Sequence, residues 1–165
     1  MLRYLLDTDI CSYAIKRKEA ALLGRIREGL IAEEIAISVI TRGELLYGLA
    51  LLPEATSLAR AMHAFLDTVP CLDWNKEAAN RYAPLRAQQK ITGNPIGYMD
   101  TQIAAHALAE NLTLVTNNER HYGRIDGLQL VNWAIPKARA TTHDDPTPTE
   151  KNTRAPHQPD CAHPP

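Results

Sequence analysis

The chain has 165 residues, 45% of them apolar, and its 18 Lys and Arg against 19 Asp and Glu give a formal net charge of −1. This describes one domain of ordinary size and excludes binding of nucleic acid through a general basic excess. The three cysteines lack Cys-x-x-Cys spacing, which excludes a disulfide framework and a zinc site. No apolar run is long enough to cross a membrane, and Asp7 and Asp9 interrupt the first apolar residues too early for a signal peptide. We therefore expect a cytoplasmic protein.

Short apolar runs alternate with helical patterns over residues 1–136. In chain order, the patterns predict a strand at 2–6, helices at 10–17 and 20–29, a strand at 35–39, helices at 42–51 and 54–67, an extended run at 69–72, helices at 75–91 and 97–110, a strand at 112–116, a turn or short helix at 118–122 and a strand at 128–131. Strands that alternate with helices are joined by parallel crossovers. We therefore predict an α/β fold with a parallel central sheet flanked by helices on both faces.

The composition changes after Pro136. Residues 137–165 contain no Val, Ile, Leu, Met or aromatic residue, and six of the chain's 11 prolines lie there. Such a segment cannot bury enough apolar surface to offset the entropy lost on ordering. We predict a folded unit at 1–136 and a Pro-rich disordered tail at 137–165.

Asp7 stands directly after the first predicted strand. In layered α/β folds, functional sites gather at the carboxyl ends of the strands, which places this carboxylate at the expected edge. Asp7 could instead only terminate the strand. Asp9 or Thr8 is suited to the N-cap of the following helix, and we favour that role for Asp9.

Glu44 follows the second predicted strand and lies on a partly apolar helical stripe. A carboxylate there is costly unless something compensates its charge. However, Thr41-x-x-Glu44 is also a capping box, in which Glu44 would accept a hydrogen bond from the backbone N–H of Thr41. The sequence leaves both interpretations open.

Asp100 heads a buried helical stripe, since the helical period places it on the same side as Ile103, Ala104 and Ala107. An Asp in a first helical turn also suits the helix dipole, which is the alternative explanation. Thr116 ends the strand at 112–116 and Asn118 follows it, and their oxygens could orient a metal-bound water, although asparagines are also common turn residues.

Asp7, Glu44 and Asp100 would repel one another unless a cation lay among them. A hard divalent ion with oxygen ligands fits, and Mg²⁺ needs only one or two direct carboxylates. Mg²⁺ can activate water and neutralise charge on a phosphodiester. The acids therefore indicate phosphate ester hydrolysis without a His or Cys nucleophile.

Four blocks of sequence closely resemble the VapC-type PIN-domain ribonuclease toxins of bacterial toxin–antitoxin pairs. They lie at residues 4–10, 38–48, 95–107 and 114–122, in the order that the family shows. The resemblance implies a PIN fold, a Mg²⁺-dependent endoribonuclease in which Mn²⁺ can substitute, a VapB-like antitoxin and a homodimer. It is strongest to members that cleave initiator tRNA in the anticodon loop.

The resemblance also assigns roles to residues. It carries catalytic and metal-binding roles to Asp7, Glu44 and Asp100. The family's fourth acidic position falls within residues 116–118, where Thr116 and Asn118 stand in this chain, and Glu119 or Asp9 is an alternative source of that acid.

Two other functional classes compete. A haloacid-dehalogenase-like phosphatase also begins with a strand and Asp-x-Asp, with Asp7 as covalent nucleophile, but Cys11 stands where that family has Thr or Val. A catalytically inactive PIN interaction module would keep only the fold. The presence of all three acids argues against the inactive module.

Overall fold

The computed structural model of the protein describes residues 1–16 and 19–134. The predicted tail at 137–165 lies outside this range. The described elements, in chain order, are β1 Tyr4–Leu6, α1 Thr8–Ile15, α2 Ala20–Ile31, β2 Ile35–Ser38, α3 Val39–Ala50, α4 Thr56–Thr68, β3 Cys71–Leu72, α5 Lys76–Thr92, α6 Tyr98–Ala109, β4 Thr113–Val115, α7 Glu119–Tyr122 and β5 Leu130–Val131.

The strands form one sheet in the order β3-β2-β1-β4-β5, and every neighbouring pair is parallel. β1 is the central strand, with Tyr4 opposite Ile35 of β2 on one side and Thr113 of β4 on the other. Because the strands are parallel, the chain after β1, β2 and β4 leaves from the same edge of the sheet. This edge carries the predicted acids.

Two hydrophobic cores cover the two faces of the sheet. Leu6 belongs to the core shared with α1 to α4, and Leu5 belongs to the core shared with α6 and α7. Successive strand residues point to opposite faces, so β1 supplies both cores. The predicted α/β fold with helices on both faces is confirmed. No helix in the described ranges is long and apolar enough to cross a membrane.

Helix starts differ from the predictions where polar side chains cap them. α3 begins at Val39 rather than 42, because the Ser38 hydroxyl accepts a hydrogen bond from the N–H of Ile40 at 3.1 Å. α1 begins at Thr8, because Asp7 is its N-cap. The preference for Asp9 as that cap was therefore wrong, and Asp9 is exposed.

Candidate active site

Asp7 is held by its backbone and by both carboxylate oxygens. Its N–H continues the sheet by donating to the carbonyl of Val115 at 3.0 Å. Oδ1 accepts from the Thr8 N–H at 2.8 Å and from the Tyr122 hydroxyl at 3.1 Å, while Oδ2 accepts from the Thr116 hydroxyl at 2.8 Å. The residue is only 4% exposed, and this burial raises the pKa of Asp7 to about 6 despite those hydrogen bonds.

Tyr122 links Asp7 to Asp100. Its hydroxyl lies 3.3 Å from Oδ1 of Asp100 and is fully buried. Burial and the two neighbouring carboxylates raise the pKa of Tyr122 far above its usual value, so the phenol keeps its proton. A hydroxyl has one hydrogen for two carboxylates. The hydroxyl of Tyr122 therefore compensates only part of the negative charge of Asp7 and Asp100.

Glu44 lies at the other end of the cluster. Its Oε2 accepts from the hydroxyl of Thr8, next to Asp7 in the chain. It is half-buried, and desolvation, with smaller contributions from Asp100 and Asp9, raises its pKa. The capping-box alternative is wrong, because Ser38 is the N-cap and α3 begins at Val39, so Thr41 lies inside the helix.

Thr116 joins the acids, whereas the side chain of Asn118 does not. Thr116 is fully buried and also accepts from the backbone N–H of Asn118 at 2.9 Å. The Asn118 amide lies 3.0 Å from Nδ1 of His121. Glu119 is exposed, 3.4 Å from Nδ2 of Asn132. Asn118 thus supports Thr116 through its backbone.

Gly97 leaves room for Asp100. It is the N-cap of α6, and a Cβ built at Gly97 would lie 3.0 Å from Oδ2 of Asp100. That is closer than a carbon and an oxygen ordinarily pack. A side chain here would therefore press on the carboxylate that faces Tyr122.

Among the residues that the structure describes, no positive side chain forms an ion pair with these acids. The ion pairs among residues 1–16 and 19–134 are Arg3–Glu34 and Arg81–Glu77, both remote from the cluster. Within the same residues, no three His, Cys, Asp or Glu side chains lie close enough together to hold one metal ion. Mg²⁺ takes only one or two protein carboxylates and completes its shell with water. The oxygen donors and unpaired charge of Asp7 and Asp100 fit that requirement.

Three contributors were missed in the sequence: Tyr122, Thr8 as a donor to Glu44, and Gly97. Tyr122 is 115 residues from Asp7, and its pairing depends on the crossover that brings α7 beneath the sheet edge. The one local feature that could have pointed to Tyr122 is its position shortly after the turn at Thr116–Asn118. Gly97, three residues before Asp100, could have been recognised as a small residue at a helix start.

The fold and the acid cluster define a PIN domain, and the PIN domain family model matches residues 4–128. The chain is 37% identical over 136 residues to the "tRNA(fMet)-specific endonuclease VapC" of Shigella flexneri, covering 81% of this chain and 100% of that protein. It is 35% identical over 133 residues to "Ribonuclease VapC2" of Haemophilus influenzae, covering 81% and 99%.

Solved structures agree. The DNA-bound VapBC of Salmonella typhimurium gives a TM-score of 0.75 at 32% identity, and the VapBC2 of Rickettsia felis bound to a promoter DNA fragment gives 0.74 at 35%. Each match covers 81% of this chain and 99% of the other. The chain therefore belongs to the PIN-domain family, among its VapC-type ribonuclease toxins.

Proposed function

We propose that this chain is a Mg²⁺-dependent endoribonuclease, the toxin of a toxin–antitoxin pair, in which Mn²⁺ can replace Mg²⁺. The observation that carries the proposal is the pair of carboxylates, Asp7 and Asp100, bridged by Tyr122, neither of which has an ion pair within residues 1–16 and 19–134. The names of the VapC relatives support RNA as the substrate and the VapBC structures support an antitoxin partner. RNA in the cytoplasm is the expected target.

In this proposal, each side chain of the site has its own role. Asp7 and Asp100 would hold the ion, and Glu44, whose own pKa is raised in part by the charge of Asp100, would add to the negative charge that attracts the cation. When bound, Mg²⁺ activates water and neutralises charge on the phosphodiester. Thr116 and the Thr8 N–H fix the orientation of Asp7, and Tyr122 fixes the spacing of the two carboxylates. Such fixed polar groups need no rearrangement during reaction.

The first test uses the purified full chain with total tRNA and with a synthetic anticodon stem-loop of initiator tRNA. We expect cleavage in Mg²⁺ or Mn²⁺, none in EDTA, and a new 5′ end in the anticodon loop. Full cleavage in EDTA contradicts metal dependence. Cleavage of other RNAs alone would keep the nuclease and reject the initiator-tRNA target.

The competing phosphatase function has less support. The family model that matches the chain is the PIN domain, and the relatives named above are ribonucleases or endonucleases. Trapping a phosphoryl group on Asp7 would support the phosphatase. A folded chain that binds an antitoxin but cleaves no RNA would support the inactive interaction module.

Partner binding has a suitable surface. A groove of about 870 Å³ runs between the end of α1 and α4, with Ile15, Leu58 and Ala61 among its lining residues. Leu51 and Leu52 beside α4 are 62% and 52% exposed, which a partner would cover. We propose that a VapB-like antitoxin binds here and that the toxin is a homodimer. Co-expression with the antitoxin and growth assays test the first statement, and sedimentation of the purified toxin tests the second.

The domain boundary is also a proposal. Residues 1–136 should carry the activity, because all of the site's side chains lie between Asp7 and Tyr122. Truncation after Pro136 should leave the cleavage rate and the melting temperature unchanged. A large loss of either would give the Pro-rich segment a role in the folded unit.

A further inference from the structure

A second feature lies at the N-terminal end of α6, and Asp100 is not among its lining residues. It is a groove of about 720 Å³ between the second half of α5 and residues 93–98. Its lining includes Tyr82, Arg86, Lys90, Pro95 and Tyr98 and, as far as residues 1–16 and 19–134 are concerned, no acidic residue. This volume is within the range of pockets that hold small organic ligands. We refer to it as the α5–α6 groove.

Tyr98 presents one open ring face in this groove. Tyr98 is 67% exposed to solvent. The guanidinium carbon of Arg86 lies 3.9 Å from the ring centroid and covers one face. Because the ring is nonetheless mostly exposed, its other face is open to solvent. A planar partner could stack there.

Arg86 is fixed rather than free. Its NH1 donates to the carbonyl of Ile96 at 3.0 Å and to Oε1 of Gln89 at 3.3 Å. Gln89 in turn accepts from the hydroxyl of Thr101, the fourth residue of α6, at 3.0 Å. The ring and the guanidinium are thus held together by both helices before any ligand arrives. Such pre-organisation lowers the entropy lost on binding.

The groove is also positively charged. Arg86 and Lys90 are four residues apart and so share a face of α5. Neither forms an ion pair with a carboxylate in the described part of the chain. Since the net charge of the chain is only −1, these two cations form a local anion-attracting surface rather than part of a general basic excess.

We propose that the α5–α6 groove binds one nucleotide of the RNA strand that is cleaved, with its base stacked on the open face of Tyr98 and its phosphate beside Lys90. This rests on the proposed ribonuclease function. Stacking on an aromatic ring together with basic side chains is how proteins hold single-stranded nucleic acid. An apolar protein segment would leave both cations unpaired, so RNA fits the groove better.

The position suits a strand that also reaches the acids. Residues two apart point to nearly opposite sides of a helix, so Tyr98 and Asp100 flank the N-terminal end of α6. A strand with its scissile phosphate at Asp100 passes over that end, and a neighbouring nucleotide reaches Tyr98. Tyr98 would then be a binding and specificity residue rather than a catalytic one.

Binding of a short fluorescein-labelled single-stranded RNA of mixed sequence, in EDTA and followed by anisotropy, tests the groove directly. Tyr98→Ala should weaken binding about tenfold, within the range found for loss of a stacked base. Tyr98→Phe keeps the ring and should stay within about twofold of the wild type. Lys90→Ala should reduce the salt dependence of binding by about one phosphate contact.

Lys76→Ala is the matched control. Lys76 is exposed at the start of α5, about 21 Å along the helix from Lys90 at 1.5 Å per residue, and its loss should leave the salt dependence unchanged. In Mg²⁺, cleavage of the anticodon stem-loop by Tyr98→Ala should show a raised KM with kcat within about threefold of the wild type, as expected for lost substrate binding. Melting temperatures verify that the exposed substitutions leave the fold intact.

Several results would overturn the inference. Wild-type affinity and KM in Tyr98→Ala would show that no base stacks there. Unchanged RNA affinity, combined with dissociation of a dimer by Tyr98→Ala in sedimentation, would make the groove a protein interface. If the variants bind RNA as predicted but the wild type cleaves none, the groove stands and the proposed nuclease fails. A wild type that binds no RNA in EDTA rejects the groove as a binding site, and if it also cleaves no RNA in Mg²⁺, both proposals fail.

Discussion

The two halves of the acid cluster are built differently. Asp7 and Asp100 meet at a buried tyrosine, and Asp7 is fixed by three hydrogen-bond donors from three parts of the chain. Glu44 is half-buried and accepts one side-chain hydrogen bond, from Thr8. The anchored half sets the position of the charge, whereas the Glu44 half can adjust. Substitutions in the anchored half should therefore have larger effects.

Asp7→Asn should give the largest change. It removes a carboxylate of the proposed metal site, and we expect at least about a 1,000-fold loss of cleavage, equivalent to about 4 kcal/mol. In EDTA the same variant should be more stable than the wild type at pH 7, because a buried unpaired charge is gone. Cleavage rates and urea denaturation measure the two effects. Near-normal cleavage would remove Asp7 from the catalytic machinery.

The pH dependence of stability should follow from the raised pKa of Asp7. In EDTA, the folded state keeps the proton on Asp7 up to about pH 6, whereas the unfolded chain loses it near 3.8. The folded state thus binds more protons between these values, so its stability falls as pH rises through them, by up to about 3 kcal/mol.

Urea denaturation of wild type minus Asp7→Asn isolates this contribution from that of the other titrating groups. Saturating Mg²⁺ should abolish much of the fall, because the ion stabilises the ionised carboxylate. A difference that is independent of pH would show that Asp7 is not destabilised by burial.

Glu44→Gln tests the adjustable half. We expect about a 100-fold loss of cleavage, as for loss of one electrostatic contributor, and less than about 1 kcal/mol of destabilisation, since a Gln oxygen still accepts from Thr8. Thr8→Val is the matched control, because it removes the donor and keeps the carboxylate, and it should cost less activity. If Glu44→Gln affected stability more than cleavage, Glu44 would be structural.

Tyr122→Phe separates the bridge from the charges. It removes the shared hydroxyl and keeps the buried ring, so we expect about a tenfold loss of cleavage from poorer positioning and about 1 kcal/mol of lost stability. Tyr4→Phe is the control, since the Tyr4 ring packs on Trp133 and away from the acids. Equal effects of the two variants would argue against a positioning role for Tyr122.

Gly97→Ala should give the smallest effect. The added methyl group would press on Oδ2 of Asp100, and we expect about a threefold loss of cleavage from displacement of that carboxylate. Gly24→Ala, where a Cβ meets nothing within 4 Å, should leave cleavage unchanged. An unaffected rate in Gly97→Ala would mean that Asp100 moves without cost.

The sequence predicted the elements that follow from local periodicity. The apolar run before Asp7 and the helical stripe that Asp100 heads are both local patterns, and β1 and α6 formed close to the expected positions. The start of α3 was mispredicted. Ser38 and Thr41 are both residue types that cap helices and lie only three residues apart, and the packed structure shows that Ser38 is the cap.

The contacts between distant elements could not be predicted. The hydroxyls of Tyr122 and Thr116 reach Asp7 across most of the chain, and nothing in the local sequence specifies that pairing. The depth of burial that raises the pKa of Asp7 is likewise a property of two cores packed together. A sequence motif therefore identified the acids but not what holds them.

The central position of β1 has a consequence for synthesis on the ribosome. Asp7 is made before its two hydroxyl donors, which lie 109 and 115 residues further along the chain. A nascent chain that does not yet include β4 and α7 contains Asp7 without the hydroxyls of Thr116 and Tyr122 that hold its carboxylate. Pairings of such long sequence separation form late, because the loop between them must close first. The assembled site thus appears only after nearly the whole sheet has emerged, which leaves a growing chain time to meet a binding partner.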